Sequence, residues 1–222
     1  QAAGLDFAVN CFPAQAVGGD YYNYWQGSDG GFHFALGDVS GKGIAAALLM
    51  ASIQATLNGL GARGNLPLEH MMGELSRLVL EGSLPDSYTT LILGTYDPAS
   101  HRLGVVNAGH VPPVLIRGGQ VVRLEAGGCP AGLLPDSEYD SNRVTIEPGD
   151  VLVCVSDGIS ESMNPEDEQW GEDAIIAIAI DAAARADAAA AVVERLVQGA
   201  HAFAAGAPQH DDMTVMVLRF TQ

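Results

Sequence analysis

GGDYYNYWQGSDGGFHFALGDVSGKG, residues 18 to 43, decides how this chain reads. Two runs of aromatic and apolar residues, Tyr21 to Trp25 and Phe32 to Leu36, flank the turn signal Ser28-Asp29-Gly30-Gly31, so the stretch predicts a β-hairpin. With the turn centred between Asp29 and Gly30, antiparallel register sets Asp20 opposite Asp38, within one residue. Two carboxylates side by side at a sheet end repel each other unless a cation lies between them. They read either as two solvated turn aspartates or as half of a cation site. Lys42, the only lysine in the chain, follows Asp38 in the next turn.

Outward from the hairpin, IAAALLMASIQATLNGL predicts a buried helix closed by Gly59 and Gly61, and Leu66 to Leu84 predicts a second, with Pro67 in its first turn. Thr89 to Tyr96, Arg102 to Asn107, Val114 to Arg117 and Val121 to Leu124 read as an antiparallel series of strands. Arg143 to Ile146, Val151 to Val155 and Met213 to Phe220 add further strands, and a helical region from Glu172 to Ala205 breaks near Arg185 to Asp187. Strands and helices come in blocks, which favours α+β over alternating βαβ units.

The composition narrows the partners. Of 222 residues, 27 are acidic and 10 basic, and the net charge of −17 repels nucleic acid and anionic lipid. Charges at Asp181, Arg185, Asp187 and Glu194 interrupt the alanine-rich region near the C-terminus, so no membrane span of about 18–20 residues is expected. Cys11, Cys129 and Cys154 are odd in number and widely spaced. They suggest neither disulfides nor a zinc cluster, and a reducing cytoplasm fits. The chain opens without an initiator Met or signal peptide, which suggests one domain, residues 1–222, from the C-terminal part of a longer protein.

More aspartates repeat the hairpin's pattern. VLVCVSDG ends a strand at Asp157 as FHFALGD ends one at Asp38, and HDDMTVMVLRF begins a strand just after Asp211 and Asp212. Antiparallel pairing permits Asp20, Asp38, Asp157 and Asp211 to gather at one rim. Such a rim of carboxylates and carbonyls suits hard divalent cations, Mg²⁺ or Mn²⁺, and no histidine or cysteine pair has zinc-ligand spacing. Paired ions of this kind can bind a phosphoryl group despite the acidic protein.

GGDYYN, GDVSGKG before an alanine-rich helix, Thr89-Thr90, NAGHVPP from 107, VSDGISES and HDDMT stand in the order found in metal-dependent protein phosphatases. Over nearly its whole length the chain resembles the type-2C superfamily, in particular its bacterial SpoIIE/RsbU branch. The resemblance implies an αββα sandwich, two antiparallel β-sheets flanked by helices. It also implies hydrolysis of phosphoserine or phosphothreonine on a protein by a water activated between two or more Mg²⁺ or Mn²⁺ ions. By motif position, Asp38 would bridge the metals, Val39 would offer its carbonyl, Asp157 and Asp211 would complete one shell, and Asp20 would hold a metal-bound water. Asp212 would either ligate or orient Asp211. By the same resemblance the substrate would be a STAS-type anti-sigma-factor antagonist in a partner-switching stress response. An upstream sensor or receiver domain would act in cis, and homodimerisation is left open.

Two departures matter. Branch members often read GGDxxD, whereas Asn23 stands here at the second acid, and residues 1 to 41 contain no Arg or Lys to clamp phosphate. They motivate an alternative, a phosphatase-like binding or adaptor module with weak or no catalysis, the output of a response regulator. Lys42 reads as a phosphate contact or as a solvated turn residue. His110 is a candidate general acid, but its setting in NAGHVPP favours turn packing. Thr89 and Thr90 read as backbone or supporting contacts, Glu161 as a hydrogen-bond acceptor near Asp157, and Ser40, Ser156 and Ser160 as turn residues rather than nucleophiles.

Overall fold

The structure, a computed structural model, describes residues 3–15, 18–28, 30–41, 43–62, 66–82 and 87–222. Among these, one sheet has the order β1 (Leu5–Phe12), β11 (Met213–Phe220), β10 (Val151–Val155), β6 (Val114–Arg117), β7 (Gln120–Arg123). The other has the order β2 (Asp20–Gln26), β3 (Phe32–Val39), β4 (Thr89–Asp97), β5 (Arg102–Ala108), β8 (Gly127–Gly128), with β9 (Asn142–Thr145) also on β5. The helices are α1 (Ile44–Gly61), α2 (Leu68–Gly82), α3 (Asp157–Ser160), α4 (Glu172–Arg185) and α5 (Ala189–Ala204).

Alternation along the strands builds three apolar layers, because successive side chains of a strand point to opposite faces. Phe32, Phe34 and Leu36 of β3 meet Leu152 and Cys154 of β10 and Met216, Leu218 and Phe220 of β11 between the sheets. The intervening Ala35 and Val39, with Leu91 and Leu93, pack beneath α1 and α2. On the far side, Val151, Val153, Val215 and Val217 pack beneath α4 and α5. This is the expected αββα sandwich.

Three expectations need correction. The sheets are not purely antiparallel: β8 runs parallel to β5, pairing Asn107 with Gly127 and Ala108 with Gly128. Glycine is required there because a Cβ on Gly127 would collide with the backbone of Asn107. Second, β4 to β7 do not form one series, since β4 and β5 lie in one sheet and β6 and β7 in the other. The crossing is made by NAGHVPP, where Gly109 has φ 68 and Pro112 and Pro113 offer no N–H to extend a ladder. Third, α1 is itself an 18-residue charge-free helix, long and apolar enough to cross a membrane. Here it lies on the sheet with Ala46, Leu49, Ile53, Leu57 and Leu60 buried, while Ile44 and Leu48 are exposed.

Candidate active site

Each file of inward-facing side chains turns polar at the same end of the sandwich. On β3 the file Phe32, Phe34, Leu36 ends at Asp38, and on β11 the file Phe220, Leu218, Met216 ends at Thr214 and Asp212. Leu152 and Cys154 of β10 lead to buried Ser156, and Asp157 follows as the first residue of α3. Asp20 pairs with Asp38, the predicted register. The aspartates therefore do not share one sheet's rim. Asp20 and Asp38 come from one sheet and Asp157 and Asp211 border the other, so the groups face each other across the mouth of the inter-sheet layer.

The electrostatics record that closeness. Burial, then the charges on Asp157, Asp211 and Asp212, pushes the Asp38 carboxyl up to about 7. Burial also pushes Asp20 up to about 7, aided by the charges of Asp38 and Asp212 and opposed by hydrogen bonds from Thr214 and Ser156. Thr214 Oγ1 donates to Asp20 Oδ2 at 2.5 Å. That contact was not anticipated, although β11 alternation from Asp212 places Thr214 on the inward face.

Gly18 and Gly19 serve close approach. A Cβ on Gly19 would lie 2.5 Å from Asp38 Oδ1 and 3.0 Å from the Val39 carbonyl, and one on Gly18 would collide with the Asp212 carboxylate. Asp212 is 4% exposed and accepts from three amides, those of Ala14 (2.7 Å), Gly19 (2.5 Å) and Asp20 (3.2 Å). Its own carbonyl accepts from Ser156 Oγ at 3.1 Å, and Ser156 Oγ accepts from the Thr214 amide. Asp212 thus pins the β1–β2 connection from beneath, and its carboxylate oxygens are engaged by backbone.

His110 is buried, with Nδ1 2.8 Å from Thr90 Oγ1, and burial lowers its pKa to about 4. A ring neutral at neutral pH has no imidazolium proton to give a leaving group. Asn107 holds the surrounding turn, accepting from the His110 amide at 2.7 Å and donating to its carbonyl at 2.9 Å. Thr89 Oγ1 donates to the Asp38 carbonyl at 2.8 Å, and Ser40 Oγ accepts from the Tyr88 amide, so these residues support backbone as expected. Ser160 Oγ donates to the Asp157 carbonyl, and Glu161 contributes its amide to the same carbonyl, while its side chain is exposed. Lys42 lies outside the described residues.

Asn23 is not at the mouth at all. Strand alternation turns it to the α1 side, where its Nδ2 donates to Asn58 Oδ1 at 3.1 Å. Asn23→Asp is therefore expected to leave metal requirement and turnover within about two-fold and to shift stability by less than about 0.5 kcal/mol, the usual scale for a surface change. Parallel manganese titrations and thermal melts of the two proteins check this.

Among the described residues, no three His, Cys, Asp or Glu side chains close to metal-ligating distance. The donors present nevertheless fit a hard divalent cation. They are carboxylates and the Val39 carbonyl, with no imidazole or thiolate among them, set beside a glycine backbone that leaves room where a Cβ would intrude.

The sequence profile of the family described as Stage II sporulation protein E (SpoIIE) matches residues 28–221. The chain belongs to the SpoIIE family. Phosphoserine phosphatase RsbU of Bacillus subtilis (strain 168) is 30% identical over 163 residues, which cover 72% of this chain and 48% of RsbU. The chain spans half or less of the curated relatives it matches. The SiaA-PP2C domain of Pseudomonas aeruginosa superposes with TM-score 0.83 at 22% identity, covering 96% of this chain and 85% of that one. The catalytic domain of the serine threonine protein phosphatase PstP, solved in complex with 2 manganese ions, superposes with TM-score 0.66 at 17% identity over 98% of this chain and 99% of that one. At these identities the structural matches establish that the SpoIIE-family chain has the PP2C fold.

Proposed function

We propose that this chain is a Mg²⁺- or Mn²⁺-dependent phosphatase acting on phosphoserine or phosphothreonine of a regulatory protein. The observation that carries the reading is the meeting of Asp20 and Asp38 with Asp157 and Asp211 across the mouth of the sandwich, where burial and mutual charge hold Asp38 near 7. Carboxylates so placed are stabilised by divalent cations, and the phosphoserine phosphatase RsbU and the manganese-bound PstP domain agree with that chemistry.

Asp38, Asp157, Asp211 and the Val39 carbonyl would hold the ions, and Asp20 would orient water beside them. Bound there, the ions would supply positive charge for the phosphoryl oxygens and a water of lowered pKa. The protein's part is positioning: Thr214 orients Asp20, Thr89 holds the Asp38 backbone, and His110 packs against Thr90 as a neutral ring. The substrate would be a STAS-type antagonist, for which loss of about 1.5 to 2 negative charges changes the partner it can bind. A sensor or receiver domain in cis, a cytoplasmic setting and the option of a homodimer belong to the same proposal. The adaptor alternative rests on Asn23, which sits against α1, away from the mouth, and on the lack of an Arg or Lys in residues 1 to 41, which leaves the phosphate to be held by the ions.

The test is manganese-dependent turnover of p-nitrophenyl phosphate and of a phosphoserine protein. Activity that needs Mn²⁺ or Mg²⁺ supports the reading. No turnover, together with no calorimetric Mn²⁺ binding at millimolar concentration, overturns it.

Asp212 is assigned as a positioning residue. Asp212→Ala strands three amides, of which that of Gly19 is buried, and leaving a buried N–H unpaired costs about 1–3 kcal/mol. The Mn²⁺ concentration for half-maximal activity is expected to rise about 10–100-fold, as for other residues that orient metal ligands. Asp212→Asn, which turns an N–H₂ toward amide donors, should recover only part of the loss. An unchanged Mn²⁺ requirement in a variant that still melts cooperatively would show that the clamp does not position the site.

A further inference from the structure

Beside Asp157 and Asp211 a pocket of about 130 Å³ opens between α3 and the C-terminal end of α5. Met163, Ala200, Ala204, Ala207, Pro208 and Met213 give it an apolar wall, and His201, Gln209 and His210 share the lining with Asp157, Glu161 and Asp211. Cofactor and drug-sized pockets begin near 300 Å³, whereas an apolar cavity of about 150 Å³ holds benzene, so this one has the size of a single side chain. We propose that the pocket binds an aliphatic side chain of the substrate protein, within a few residues of the phosphorylated serine or threonine, and so selects the substrate.

Position supports this. Asp157 and Asp211 line the pocket and also border the mouth assigned to phosphate, so whatever fills one reaches the other along a short length of chain. Charge selects the occupant's class. Asp157, Asp211 and Glu161 at the edge repel an acidic side chain. A lysine or arginine would be drawn to those same carboxylates and would have to compete for Asp157 and Asp211 with the divalent ions, while only its aliphatic stem could rest on buried Ala200 and Met213. A leucine, isoleucine or methionine side chain meets neither penalty.

The walls are also held in place before any ligand arrives. Gln209 Nε2 donates to the Phe12 carbonyl at 2.7 Å and the Asp211 carbonyl at 2.8 Å, which fastens the segment after α5 to the end of β1. That segment leaves the helix through Ala205 at φ 48 and Gly206 at φ 92 and closes with the Ala207 amide on the Ala204 carbonyl at 2.8 Å. Opposite, Ser162 Oγ donates to the Gly158 carbonyl at 2.8 Å, and Met163 bridges to Gln169. A rigid pocket loses little entropy on binding and can discriminate by shape.

The proposal rests on the phosphatase reading, and its test separates the two. Peptides carrying the non-hydrolysable phosphonate analogue of phosphoserine, with Leu, Ala, Lys or Asp placed in turn at each of the three flanking positions on either side, are titrated in Mn²⁺ by fluorescence anisotropy. At one position Leu is expected to bind about tenfold or more tightly than Ala, the scale set by burying an aliphatic side chain, with Asp the weakest. Ala204→Phe and, independently, Ala207→Phe should fill the pocket and erase the Leu preference, while the Ala peptide and p-nitrophenyl phosphate turnover stay within about two-fold of wild type. Absence of a Leu preference, a preference for Lys, or a Leu preference that survives both folded variants overturns the pocket while turnover upholds the phosphatase. Loss of both peptide binding and p-nitrophenyl phosphate turnover in the unmutated protein overturns both.

Discussion

Asp38→Asn is expected to lower manganese-dependent turnover of p-nitrophenyl phosphate by on the order of 10³-fold or more, since residues that merely orient metal ligands already cost about 10–100-fold. Asp157→Asn should behave alike. Asp38 lies opposite Asp20, with Asp157, Asp211 and Asp212 all close enough to raise its pKa, so it is the common neighbour of the whole cluster. An amide at that position keeps the shape, removes one negative charge and takes away an anionic ligand. The same change relieves repulsion, so without metal the variant should melt no lower than wild type. That pairing of lost activity with retained or raised stability distinguishes a site residue from a packing residue. Wild-type turnover in Asp38→Asn would end the active-site assignment.

The second expectation concerns stability against pH. Asp20 and Asp38 are each raised from 3.8 to about 7 in the folded chain, so between those values the native state binds more protons than the unfolded state. Stability contributed by the two groups is therefore full below about pH 4 and is lost as pH rises through about 7. His110, lowered from 6.5 to about 4, acts with the opposite sign between those two values. Two carboxyls outweigh one imidazole, and above pH 6.5 the histidine contribution is constant. In EDTA, melting at pH 8 should then fall below melting at pH 6 by roughly 5 °C or more, given about 1.4 kcal/mol per pKa unit and 2–4 °C per kcal/mol for a chain of this size. Saturating Mn²⁺ should close most of the gap, because cations stabilise the ionised carboxylates. Asp38→Asn should shrink the gap without metal. Equal melting temperatures at the two pH values in EDTA would contradict the buried, mutually repelling arrangement.

How much of this was visible in the residues follows from which contacts are local. The Asp20–Asp38 pair could be placed because a short turn dictates hairpin register, and β3 is reached from β2 without leaving the motif. The order of β1, β11, β10 and β6 could not be placed, since these partners lie far apart in the chain and several pairings would bury their apolar faces equally well. For that reason the aspartates were expected on one rim, where the fold divides them between two sheets. The GGDxxD pattern assigns Asn23 to the acidic cluster, whereas strand alternation from Asp20 turns it to the opposite face, against Asn58 of α1. Thr214 and the amide clamp on Asp212 escaped notice because hydrogen bonds to a loop 193 residues away leave no mark in the local pattern.

The position of β11 between β1 and β10 has a consequence for how the chain matures. Until Met213–Phe220 has been synthesised and inserted, β1 and β10 have no common neighbour and expose strand edges on which other chains can pair. Asp211, Asp212 and Thr214 arrive on that same strand or just before it, so the acidic mouth is completed by the step that closes the sheet. Catalytic competence would then appear abruptly at the end of folding rather than build up gradually. During synthesis a partly made chain would be sticky before it could become active.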